Sequence, residues 1–232
     1  MKRKPGKISI RDIENYPEYL ERQIRVYKSA EKKWAEDILN LLFQDKCVGK
    51  KRILDAGSGA GIMTSYLVQI SQKKGLDTEV IGIDNFPAMI AFAQERAERE
   101  RIQEISFLEG DVTNMPFPDN YFDLVTATFL FFFLSEEKLP KFLNETYRVL
   151  KNGGKFHFFH PQRNRFVYTL TWILTRGRKK YELDTIRHSY TPTETKELIK
   201  QSSLSNGNFK ARKKWGPLMI EAFGTINKPS SK

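Results

Sequence analysis

The stretch that decides the fold is Arg52-Ile53-Leu54-Asp55-Ala56-Gly57-Ser58-Gly59-Ala60-Gly61-Ile62-Met63-Thr64. A short apolar run ends in an acid. Glycines follow at alternate positions, and Ile62, Met63, Tyr66, Leu67 and Ile70 then recur at helical spacing. This pattern predicts a strand, a tight turn and a helix, the opening of an α/β unit. Glycines let the turn adopt positive φ and let a ligand approach the backbone. The helix that follows points its free N–H groups at whatever sits in the turn.

Dinucleotide-binding enzymes also use a glycine-rich turn, but the spacing here is G-x-G-x-G, and Asp55 stands at its mouth. A carboxylate there repels a pyrophosphate and attracts an ammonium or a sulfonium. S-adenosylmethionine carries both cations. A second apolar run, Val80-Ile81-Gly82-Ile83-Asp84, ends in an acid where a ribose diol would be gripped. Together these segments resemble motifs I and II of the class I S-adenosylmethionine-dependent methyltransferases. The resemblance implies that Asp55, Gly57, Ser58, Gly59 and Gly61 line the cofactor. It puts Asp84 and Asn85 at the ribose and Met89 near adenine, although Met89 reads equally as core. Ile105-Ser106-Phe107-Leu108-Glu109 with Gly110-Asp111-Val112 resembles motif III, whose aspartate accepts a hydrogen bond from the adenine amino group. The alternative for Asp111 is a turn cap.

Strand 4, Phe122 to Ala127, is nearly continuously apolar, as suits a central parallel strand. Thr128 ends it on the cofactor side. Related enzymes that methylate base amines carry an Asn/Asp-Pro-Pro-Tyr/Phe motif here, and that motif is absent. Phe129, Phe132 and Phe133 follow, the last two where the family often has a His pair. These aromatics either floor an acceptor pocket or form the buried side of the next helix, expected over 136–150. Arg148-Val149-Leu150-Lys151-Asn152-Gly153-Gly154-Lys155 resembles the segment before strand 5 in the small-molecule, type 11-like branch. The resemblance covers about residues 50–160, is specific for fold and cofactor, and is silent on substrate. It implies one Rossmann-like α/β domain with a seven-stranded, mostly parallel sheet of order 3-2-1-4-5-7-6 and helices on both faces. The expected division is an N-terminal helical cap over 1–45 and a methyltransferase domain over 46–232, with the cofactor half at 50–160 and a substrate-side insertion at about 161–192.

A chain of 232 residues suits one such domain, and its single cysteine, Cys47, excludes an internal disulfide. No secretory signal or membrane span is read, so a cytoplasmic protein is expected. Charge is uneven: residues 1–52 carry a net +6, residues 53–150 a net −7, and residues 151–232 a net +12. Basic flanks around an acidic cofactor half suggest an anionic partner; the plainer alternative is a solvated surface. Arg163, Arg165, Arg176, Arg178, Lys179 and Lys180, interleaved with aromatics such as Trp172, make the insertion a candidate acceptor-side, nucleic-acid or membrane-facing segment. Upstream, Tyr27 is a candidate for the cofactor carboxylate or a packing tyrosine.

A sulfonium methyl is already activated, so displacement needs positioning first and a base second. Candidate bases are His160 at the end of strand 5, and His188 and Tyr190 in the insertion. His157 and His160 should point to opposite faces of their strand. Thr193 is expected to cap the helix that follows. No Cys/His cluster suggests a metal. Two classes of function stand. One is methyl transfer to a small or amphipathic acceptor molecule, an anionic one where the basic flanks face it. The other is an RNA- or protein-directed methyltransferase, or a non-catalytic subunit with the cofactor fold.

Overall fold

The computed structural model describes residues 31–43, 49–163, 169, 173, 189–214 and 219–229. Among these, α1 covers residues 31–42, followed by β1 (Lys51–Ala56), α2 (Ile62–Lys73), β2 (Thr78–Asp84), α3 (Pro87–Arg99), β3 (Ile105–Glu109) and β4 (Phe122–Thr128). Then come α4 (Lys138–Val149), β5 (Leu150–Pro161), α5 (Pro192–Lys200), β6 (Asn208–Lys214) and β7 (Met219–Thr225). The sheet runs β3-β2-β1-β4-β5-β7-β6, the expected order. Strands β3 to β5 are parallel, and β7 pairs antiparallel with both β5 and β6.

Alternation along the central strands sorts the core into two layers. Ile53, Leu124 and Phe159 pack with α1 and α2; Leu54, Val125, Phe156 and Phe158 pack with α4 and α5. On α1, Trp34, Ile38, Leu39 and Leu42 form the buried stripe. Burying each such side chain stabilises by about 1.5–3 kcal/mol, so α1 is held to the sheet by packing. A charged network adds to it. The Lys214 Nζ bridges Asp37 of α1 (2.8 Å) and Glu221 of β7 (2.6 Å). Glu221 also accepts from Arg212 and meets His157 Nε2 at 3.1 Å. Burial would raise the Glu221 carboxyl, but these three partners outweigh it and hold it at about 2.

Two element bounds differ from expectation. Strand 5 begins at Leu150, because that residue already pairs with Phe122 before the register shifts to Leu124↔Lys155. The cap of α5 is Thr191, not Thr193: its hydroxyl accepts from the Glu194 N–H, Glu194 returns a bond to the Thr191 N–H, and Pro192 occupies the first turn. Thr191-Pro192-Thr193-Glu194 spells that capping box in sequence.

Candidate active site

The end of β1 turns through Gly57, Gly59 and Gly61, all at positive φ, into α2. At Gly61 (φ 69°) a Cβ would lie 2.5 Å from the Phe107 ring and 2.9 Å from Ala93, so a side chain is excluded by both backbone and space. Gly59 (φ 50°) differs, since its Cβ direction is open. The turn is tied to β2. Gly57 and Ser58 N–H both donate to the Ile83 carbonyl, at 2.8 and 2.9 Å. The Gly59 N–H donates to Asp84 Oδ2 at 2.9 Å, and Phe86 N–H to Asp84 Oδ1 at 3.0 Å. Burial raises the Asp84 carboxyl, and these N–H groups pull against it. Each oxygen has lone pairs left for donors such as a ribose diol.

Asp55 is 1% exposed and accepts the Thr64 hydroxyl at 2.6 Å. Burial pushes its carboxyl up to about 6; Thr64 works against the rise and Asp84 adds to it. Among the described residues, Ser58 Oγ and Thr128 Oγ1 are buried polar atoms without a hydrogen-bond partner. Both border the same turn, because Thr128 lies two residues past the Asp55↔Thr126 pair of β1 and β4. Met89 packs on Ala60 of the turn, Val112 is core, and Asn85 is exposed. Gly110 N–H bonds the Asp84 carbonyl at 2.9 Å, which joins the third loop to the second.

Asp111 follows the turn-cap alternative in part. Its Oδ1 accepts both the N–H and the hydroxyl of Thr113 at 2.8 Å, and Lys138 stands 3.6 Å from Oδ2. Burial would raise its carboxyl, but Thr113 and Lys138 outweigh it and lower it. Behind this loop, Arg148 donates to the carbonyls of Met115 and Phe117 and to Asp119 and Glu145, while Glu145 accepts the Met115 N–H. Sequence reasoning missed this clamp and the Thr64 partner of Asp55. The i, i+3 spacing of Glu145 and Arg148 was the available signal for the first.

On the acceptor side, Phe129 (φ 62°) meets Trp34 edge-on at 5.7 Å, and Trp34 lies 4.3 Å from Phe159. Phe133 is 43% exposed. Arg163 is ion-paired with Glu194, and its N–H bonds the Tyr190 carbonyl at 3.0 Å. Tyr27, Arg165, Trp172, Arg176, Arg178, Lys179, Lys180, His188 and the side chain of Phe132 lie outside the described residues.

The structure corrects the reading of His160 as a base. It is 1% exposed, stacked 4.7 Å from the Phe131 ring, and it bonds the Pro161 carbonyl through Nδ1 and Thr195 through Nε2. Burial pushes the imidazole down to about 4, and the Pro161 carbonyl opposes this only partly. At neutral pH it is uncharged, enclosed and fully bonded. Tyr190 is 6% exposed and packs edge-on against the same His160 and Phe131 rings, at 6.2 and 6.3 Å. His157, on the opposite face as expected, is the buried partner of Glu221. Among the described residues no group of acids, histidines and cysteines could hold a metal ion, and no helix is long and apolar enough to cross a membrane.

The type 11 family described as "Methyltransferase domain" matches residues 54–158. A demethylmenaquinone methyltransferase of Thermus thermophilus is 36% identical over 126 residues, covering 54% of this chain and 53% of that protein. One of Bacteroides fragilis is 29% identical over 188 residues, covering 76% and 71%. The match thus spans about half the length of the Thermus relative. In three dimensions, a SAM-dependent methyltransferase of Aquifex aeolicus shares the fold, with a TM-score of 0.61 at 22% identity over 83% of this chain and 89% of its own. The motif segments thus fall inside one family match: residues 54–158 carry a methyltransferase domain similar to the type 11 S-adenosylmethionine-dependent methyltransferases, set in the sheet order of that fold.

Proposed function

We propose that this chain transfers the methyl group of S-adenosylmethionine to a small, flat, quinone-like acceptor. The observation that carries this reading is the similarity to demethylmenaquinone methyltransferases of several organisms, in one case along 76% of the chain. In this reading Asp84 and Asn85 hold the ribose, and Met89, Gly110, Asp111 and Val112 form the adenine side. Asp55, Ser58, Thr128 and the glycine turn take the methionyl end. Phe129, half-buried against Trp34 and Phe159, offers an apolar edge at the carboxyl end of β4, suited to a planar ring. We read residues 1–45 as a cap on a domain over 46–232, and the basic stretch at about 161–192 as the acceptor-side segment.

The chemistry needs little beyond orientation. The methyl carbon is electrophilic, and bringing a nucleophilic ring atom in line with the carbon–sulfur bond supplies most of the rate. Excluding water from the apolar wall strengthens the electrostatics acting on the sulfonium. Incubation with S-adenosylmethionine and a reduced, demethylated naphthoquinone, followed by mass spectrometry, tests the proposal. A product with a methyl in place of one ring hydrogen, heavier by one CH2 unit and formed together with S-adenosylhomocysteine and a released proton, is expected. Turnover of the cofactor on RNA or protein with no methylation of the quinol would overturn the acceptor class.

A further inference from the structure

We infer that Glu31 of the N-terminal helix is a cofactor-binding residue that takes the ammonium of the methionyl end. This rests on the S-adenosylmethionine reading above and extends it to a helix outside the matched family segment, residues 54–158.

The direction of α1 places the residue. The Leu41 carbonyl accepts from Lys155 Nζ at 2.9 Å, near the start of the parallel register of β5. Trp34 lies 4.3 Å from Phe159, which pairs with Thr128 at the end of β4. The helix therefore runs towards the amino ends of the strands, and its first residues overlie their carboxyl ends. Glu31 is three residues before Trp34, on the same side of the helix and about 4.5 Å further along the axis.

Its environment explains what it would bind. Glu31 is 9% exposed, and among the described residues its Oε2 has no hydrogen-bond partner. Asp55 and Thr128 lie on the same face of the sheet, and Thr128 Oγ1 is likewise buried without a partner among the described residues. Burial raises the Glu31 carboxyl to about 7; Arg96 of α3 lowers it and Asp55 of β1 raises it. Tyr66 of α2 is raised by burial and by Glu31 in turn. Two carboxyls withdrawn from water, one of them with an oxygen unpartnered among the described residues, favour a cation that brings N–H donors. An ammonium does so, and a sulfonium has none to give. Binding such a cation draws Glu31 into its charged form. At pH 7, a carboxyl with a pKa of about 7 then releases roughly half a proton.

The test is calorimetry of the full chain at pH 7 in two buffers of different ionisation enthalpy. The probes are S-adenosylhomocysteine and 5′-methylthioadenosine, which lacks the ammonium. Glu31→Gln should weaken S-adenosylhomocysteine about tenfold or more, leave methylthioadenosine within about twofold, and abolish the proton release. Equal weakening of both ligands, or unchanged affinity with a lowered Tm, would make Glu31 a structural partner of Arg96 and overturn the inference. Absence of proton release from the wild-type chain on binding S-adenosylhomocysteine would also overturn it, with no variant needed. If the wild-type chain binds neither probe, the cofactor reading itself fails.

Discussion

On the α2 face of the sheet, the carboxyls of Glu31 and Asp55 are withdrawn from water and held above their ordinary range, at about 7 and about 6, chiefly by burial. On the α4 face, His160 is equally withdrawn and held below its ordinary range, at about 4, again chiefly by burial. Burial disfavours charge in both cases, yet the consequences differ. Among the described residues Glu31 keeps an unfilled oxygen, so an incoming cation can restore its charge. Both His160 nitrogens are bonded and its ring is stacked among Phe131 and Tyr190, so it has nothing left to offer a ligand. One face is prepared for a charged ligand; the other is a finished wall that fixes the sheet beneath it.

The sharpest way to break this comparison is to perforate the wall. Phe131 is 1% exposed and packs against Phe142, Phe158, His160 and Tyr190. Phe131→Ala should cost about 3–5 kcal/mol of stability, read by urea denaturation, while cofactor affinity of the folded chain stays within about twofold. A large loss of affinity at unchanged stability would show that the wall takes part in binding.

A smaller effect is expected at His160. His160→Gln should leave kcat at pH 7 within about threefold, and the wild-type pH profile should show no inflection from this imidazole near 6.5. The sign follows from the lowered pKa: the group contributes stability above its unfolded value of 6.5, and this is lost as the pH falls through about 4. A hundredfold fall in kcat with intact cofactor affinity would return the base to this position.

The same comparison explains what the sequence revealed. The charged face was legible because its functional groups end strands: Asp55, Asp84 and Asp111 each follow an apolar run, and the G-x-G-x-G turn announces the helix. The sheet order was legible only through the family resemblance that those segments carry. His160 misled because a histidine at a strand's carboxyl end reads as a base, whereas its role depends on Thr195, Phe131 and Tyr190, which approach from distant segments. Thr64 escaped notice because its partner, Asp55, meets it only after α2 docks, and Glu31 because its burial appears only once α1 lies on the sheet. The contact of Trp34 with Phe129 and Phe159 at the strand ends appears only in three dimensions.

The central claim is that the strand-end carboxyls of the α2 face hold S-adenosylmethionine, and titration of the purified chain with S-adenosylhomocysteine tests it most directly. One molecule should bind per chain. Asp84→Ala should weaken it about ten- to a hundredfold, the scale of one or two hydrogen bonds to a carboxylate. Tight binding of NADH with no binding of S-adenosylhomocysteine would contradict the account.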